Sequence, residues 1–138
     1  MILSDLWGKR KKDWWSLYID VLDPFFDVTF YDATELAEIE PAVYDEKELH
    51  EQFITRGIDR AVQKLIELEK SPITILAFSI GGVIAWKYGL QTLHVNSMYC
   101  VSSTRLRKET VKPNTKTYMY YGDMDVNMQI QCGLLKWK

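Results

Sequence analysis

The stretch Ile73-Thr74-Ile75-Leu76-Ala77-Phe78-Ser79-Ile80-Gly81-Gly82-Val83-Ile84-Ala85-Trp86 decides how this chain is read. Its first six residues form an uncharged, β-branched apolar run, the composition of a strand at the centre of a parallel sheet with both faces buried. After a single serine the pattern changes to helical spacing, so residues 81–91 read as a helix. A strand that passes into a helix across one serine, with Ala77 two residues before it and Gly81 two residues after, has the form of a nucleophile elbow. The requirement is steric: the serine takes a strained turn that projects its hydroxyl, and bulk at the flanking positions would strike neighbouring backbone. The helix that begins there aims unpaired N–H groups and the positive end of its dipole at the hydroxyl, which makes the Ile80 N–H a donor for an oxyanion. The plainer reading is that Gly81-Gly82 eases a strand-to-helix turn and Ser79 caps the helix.

Working outward, short apolar runs alternate with longer helical patterns. Residues 1–4 read as a very short strand, and residues 13–22 as a helix with Trp14, Leu17, Tyr18 and Val21 on one face, stopped by Asp23-Pro24. Residues 27–31 read as the second strand. Residues 33–47 are acidic and poorly periodic, a loop or helical turn over the sheet. Residues 48–70 read as one long helix with Phe53, Ile54, Ile58, Ala61, Val62, Leu65, Ile66 and Leu68 favouring one side, ended by Ser71-Pro72. Two further strands fall at residues 97–102 and 117–121, and a weak helix at residues 125–137. The alternation predicts a single α/β domain over residues 1–138, a three-layer αβα sandwich with about five mostly parallel strands. In such sheets ligands bind at the carboxyl ends of strands, so chemistry is expected just past them.

Composition narrows the partners. Hydrophobic residues make up 47% and charged residues 26% of 138, which predicts a packed core rather than disorder. With 17 basic and 19 acidic residues the net charge is −2, too weak a field to imply nucleic acid. No apolar stretch approaches the ~20 residues of a membrane span. Cys100 and Cys132 sit in no metal-ligand spacing and fit a reducing, cytoplasmic setting. No glycine-rich nucleotide motif occurs, so no cofactor and no metal are expected. The run Lys9-Arg10-Lys11-Lys12 beside Trp14-Trp15 could hold an anionic group, though a solvated loop explains it as well. Aromatics reach 13%, more than so short a chain can bury completely, and exposed ones would suit a pocket or an interface.

Two other strand ends carry polar residues. Tyr120-Tyr121-Gly122-Asp123-Met124-Asp125 places carboxylates past a late strand, where an acid could orient a histidine, or where Gly122-Asp123 merely bends the chain. Ser4-Asp5-Leu6-Trp7-Gly8 follows the first strand and could lend a backbone N–H to an oxyanion.

Taken in order, Ile2 to Gly8, Phe78 to Gly82 and Tyr121 to Asp125 resemble the oxyanion loop, nucleophile elbow and acid turn of the α/β-hydrolase superfamily, most of all its small dienelactone-hydrolase-like and serine-esterase branches. The resemblance covers most of the chain at the level of pattern. It implies Ser79 as nucleophile, Asp125 as acid with Asp123 as the fallback, and the Leu6 and Ile80 N–H groups as the oxyanion hole. It also implies strand order 2-1-3-4-5, the flavodoxin-like order, for a hydrolase core shortened at both ends. The departure is the base. The family supplies a histidine after one further strand, whereas His50 and His94 are the only histidines here and both precede the acid. His94 is expected at the opposite end of the sheet from Ser79, and both read as surface or structural residues.

The resulting expectation is a serine hydrolase that acts on an ester, thioester or similar small-molecule acyl substrate through Ser79. The alternative is a catalytically silent domain that uses the same cleft to bind a small molecule or a protein. Sheet edges left open by the missing strands predict a homodimer.

Overall fold

The computed structural model of the chain describes residues 1–125. Five strands, β1 (Ile2–Leu3), β2 (Phe30–Tyr31), β3 (Ile73–Phe78), β4 (Val95–Val101) and β5 (Lys116–Tyr120), form one sheet in the order β2-β1-β3-β4-β5, with every pairing parallel. This is the order the resemblance implied. The helices are α1 (Ser16–Leu22), α2 (Ala33–Leu36), α3 (Glu46–Gln52), α4 (Ile58–Leu68) and α5 (Ile80–Gln91). The expected helix at residues 125–137 lies, beyond its first residue, outside the described residues.

The first two strands are shorter than the sequence suggested, two residues each. β2 pairs only with β1, so it can be no longer than β1 allows. Just past β1 the Ser4 N–H still donates to the Tyr31 carbonyl at 3.1 Å, and its hydroxyl accepts the Ala33 N–H at 2.8 Å. β4 begins earlier than expected, at Val95. Ile73 pairs with Val95 and Thr74 with Ser97, so Asn96 is an extra residue at a bulge, and an asparagine gives no strand signal. α1 starts at Ser16 because the Asp13 carboxylate accepts its N–H at 3.1 Å. The ambiguous segment holds the one-turn helix α2, capped by Asp32, whose carboxylate accepts the Thr34 and Glu35 N–H groups.

The expected long helix is α3 and α4 joined by a widened turn, Phe53–Gly57, where the Ile58 N–H reaches back five residues to the Phe53 carbonyl. The extra residue keeps both halves facing inward: Leu49, Phe53, Ala61, Val62 and Leu65 are all fully buried. Ile54 and Leu68, assigned by periodicity to the buried side, are instead exposed. A straight 3.6-residue count cannot see the inserted residue.

The two faces of the sheet are unequal. Ile75, Ala77, Met98 and Cys100 point at α5, with α4 beside it, and are completely buried. On the opposite face β3 carries Thr74, Leu76 and Phe78, of which Thr74 is exposed and Leu76 half-buried. The strand expected to be buried on both sides is therefore sealed on one. α1 lies on the second face, where Trp14 meets Phe78 edge-on at 4.7 Å and Tyr18 meets it at 4.9 Å. Farther across that face Tyr99 and Tyr118 stack at 4.8 Å, with Tyr118 43% and Tyr120 52% exposed.

Candidate active site

Ser79 is the single residue between β3 and α5, and its backbone takes φ +51° and ψ −117°. A side chain at this φ is strained, and the conformation persists only because its surroundings fix it. They do so from two sides. The Ser79 N–H donates to the Val101 carbonyl of the adjacent strand at 2.8 Å, and its carbonyl accepts the Gly82 N–H at 3.1 Å. The glycines that follow are required by close approach: a Cβ on Gly81 would strike the Ser4 carbonyl, and one on Gly82 would strike the Ser103 hydroxyl. Ala77 is fully buried. The Ser79 hydroxyl makes no cap bond to α5, so the plain N-cap reading does not describe it.

The contact at Gly81 brings the loop after β1 against the first turn of α5. The Asp5 carboxylate accepts the Trp7 and Gly8 N–H groups at 3.0 and 3.1 Å. Burial pushes the Asp5 carboxyl above the usual carboxylate range against the pull of those two bonds. Asp32, itself buried, accepts the Lys9 N–H at 2.7 Å. Gly8, at φ +53°, is packed so closely on that carboxylate that a side chain would collide with it. Between these ties sits Leu6, nearly buried, whose N–H finds no acceptor among the described turn and loop bonds. The Ile80 N–H, first in α5, has none within the helix.

The basic run is largely structural. Arg10 donates to Thr34 Oγ1 and, at 3.0 and 2.9 Å, to the Val43 and Glu40 carbonyls, clamping the segment beyond α2. Lys9 pairs with Glu35 at 3.2 Å, and Lys11 lies 3.6 Å over the Trp7 ring.

Asp125 and Asp123 differ sharply. Asp123 is exposed, whereas Asp125 is half-buried and accepts the Gly122 N–H at 2.8 Å and the Ser102 hydroxyl at 2.6 Å. Ser102, the residue after β4, also has a positive φ of 50°. Sequence reasoning passed over it, and the only available signal was a Ser-Ser pair following a strand. The structure thus brings Ser79, Ile80 and the Leu6 loop together, with Ser102 and Asp125 on the next strand ends. No hydrogen bond joins Asp125 to Ser79 among the described residues.

Neither histidine reaches Ser79 by a hydrogen bond. His94 lies at the far end: its carbonyl accepts the N–H of Ile73, the first residue of β3, while Ser79 follows the last. Six strand residues separate those ends by roughly 20 Å. His50, in α3, is exposed and held below its ordinary value by partial burial, then by the charges of Arg105 and Lys108. Cys100 is a buried free thiol, pushed up to about 12 by burial, which disfavours its thiolate form.

Cavities of about 480, 710 and 770 Å3 are lined by other residues, the 710 Å3 one lying between the end of α1 and the amino ends of β1, β3 and β4. Among the described residues no cluster of histidine, cysteine and carboxylate side chains could hold a metal ion, and no helix is long and apolar enough to cross a membrane. Comparison of the chain with protein families, with curated proteins and with solved structures gave no match.

Proposed function

We propose that the chain is a hydrolase-fold protein of esterase type, with Ser79 as the acyl-accepting nucleophile for an ester, thioester or similar small-molecule acyl substrate. The observation that carries this reading is the backbone of Ser79, strained at φ +51° with a hydroxyl that caps nothing. Such strain is worth about 1–3 kcal/mol and is kept where a projecting side chain has a use. In the reaction Ser79 Oγ bonds to the acyl carbon, the bond from that carbon to the leaving group breaks, and the hydroxyl proton passes to a solvent base. The Leu6 and Ile80 N–H groups are the donors for the transient oxyanion. Asp125 is the acid of this constellation, with Ser102 as the group it holds.

Without a histidine on Ser79, catalysis is limited to binding and oxyanion stabilisation, roughly 10³ to 10⁴ over water. Labelling by a fluorophosphonate is therefore expected to be slow, confined to Ser79 and absent in Ser79→Ala, as read by intact mass and peptide mapping. An unlabelled Ser79, under conditions that label an ordinary serine esterase, would sink the proposal.

The second reading, a silent domain that binds a small molecule or a protein in the same cleft, is favoured by one observation: the Asp125 carboxylate is already engaged by Ser102. Turnover of a nitrophenyl ester that disappears in Ser79→Ala would exclude it. The buried free thiol of Cys100 supports placing the protein in a reducing cytoplasm. Among the described residues β5 has one unpaired edge, which supports a homodimer.

A further inference from the structure

We infer that Ser102 takes the proton of the Ser79 hydroxyl as the acyl bond forms and passes its own to Asp125, which returns it to solvent. The inference rests on the nucleophile reading and adds to binding and oxyanion stabilisation a route for the proton. Ser102 stands beside Ser79 at the next strand end. Phe78 and Val101, the last residues of β3 and β4, are register partners, and Ser79 and Ser102 are the residues that follow them. The Ser79 N–H donates to the Val101 carbonyl at 2.8 Å, and a Cβ on Gly82 would fall on the Ser103 hydroxyl, so the residues on both sides of Ser102 pack against the Ser79 turn. Neighbouring strands lie about 5 Å apart, a gap that two serine hydroxyls close directly or through one water.

Ser102 repeats the arrangement of Ser79 one strand over. Its φ is +50° against +51°, and its N–H donates to the carbonyl of Tyr120, the last residue of β5, at 2.8 Å. Such a backbone suits glycine, so a serine is kept there at a cost in strain. Its hydroxyl donates to the Asp125 carboxylate at 2.6 Å, and that carboxylate is held in turn by the Gly122 N–H at 2.8 Å. A hydroxyl that gives its proton to a carboxylate keeps its lone pairs for an incoming donor, and the carboxylate makes that oxygen more basic. Among the described residues no hydrogen bond joins the two serine hydroxyls in the free protein; catalytic hydrogen bonds of this kind tighten when substrate fills the site. In the step itself Ser79 Oγ bonds to the acyl carbon and the leaving group departs with the electron pair of its bond. The Ser79 proton moves to Ser102 Oγ, the Ser102 proton moves to an Asp125 oxygen, and solvent at this half-buried carboxylate removes it.

The test uses Ser102→Gly, which the left-handed backbone accepts and which removes the hydroxyl. Acylation of Ser79 by nitrophenyl acetate, read by intact mass and peptide mapping, should slow at least about tenfold in this variant and in Asp125→Asn. That is less than the roughly 10² of a well-matched base, because a carboxylate is a poor base for an alcohol. Urea unfolding of Ser102→Gly should show undiminished stability. In mixtures of light and heavy water the native acylation rate should curve with deuterium content, as when two protons move together, and become linear in Ser102→Gly. A merely structural serine would not alter that shape, so it decides even if the variant is destabilised. An unchanged rate in Ser102→Gly, a linear dependence in the native protein, or acylation of Ser102 in place of Ser79 overturns the relay and leaves a serine nucleophile standing. If neither nitrophenyl acetate nor a fluorophosphonate modifies either serine, the nucleophile reading falls and the relay falls with it.

Discussion

Ser79 is the residue where local preference and the proposed function pull apart. Its φ of +51° suits glycine, which lacks the Cβ that makes this region costly. Replacing it by glycine should relieve the strain and stabilise the protein by about 1 kcal/mol, while removing the only hydroxyl the proposed chemistry can use. Urea unfolding and fluorophosphonate labelling of Ser79→Gly measure the two effects on one variant. A destabilised variant would mean that the serine side chain itself supports the turn. The neighbouring Gly81→Ala is the contrasting case, expected to lose roughly 2 kcal/mol, because its new Cβ meets the Ser4 carbonyl, which is backbone and cannot swing aside. At this scale the sequence was informative: small residues around a serine between strand and helix identify the turn. It was silent on Ser102, because nothing in a Ser-Ser pair announces a left-handed backbone or a carboxylate contributed from beyond the next strand.

Among the elements, the joint between α3 and α4 shows what periodicity can and cannot deliver. The apolar spacing located a long helix, but an inserted residue at Phe53–Gly57 shifts the face by part of a turn, so Ile54 was placed inside and is found outside. Phe53 sits at that joint with no solvent exposure, and Gly57 packs on Ala37 of the segment after α2. Truncating Phe53 to alanine should cost about 3–5 kcal/mol by urea or thermal unfolding, whereas Ile54→Ala should cost less than about 1 kcal/mol. Equal costs would show that the helix runs straight. The short strands were harder to delimit because β1 and β2 are bounded by partners distant in sequence. Arg10 was misread for a similar reason. A basic run looks solvated until the carbonyls of residues 40 and 43 fold over it.

Across the whole molecule, the parallel sheet was legible because βαβ alternation leaves few arrangements open, while its strand order came from the family resemblance. The unequal faces were not, since an apolar strand reads alike whether one side or both are covered. Among the described residues apolar area is left on the α1 side, including Leu17, Val21, Phe25 and Tyr120, and one edge of β5 is unpaired. The proposed dimer belongs at this scale. Light scattering over a concentration series should give twice the monomer mass, reduced toward one by Tyr120→Glu, and a clean monomer at high concentration would remove the proposal.

The two-residue strand β1 is central in space but remote along the chain, since Ile2 pairs with Leu76. β3, α5 and β4 are joined by short connections, and β5 follows after residues 102–115, so these elements can associate early, carrying the Ser79 turn with them. β1 must close a far longer loop before it enters between β2 and β3, and that closure carries the larger entropic cost. The Leu6 loop is tethered to β1 and reaches Gly81 only once β1 is in place. In time, then, the Ser79 turn comes first and the Leu6 loop last, so on the proposed chemistry reactivity at Ser79 would serve as a clock for the final step of folding.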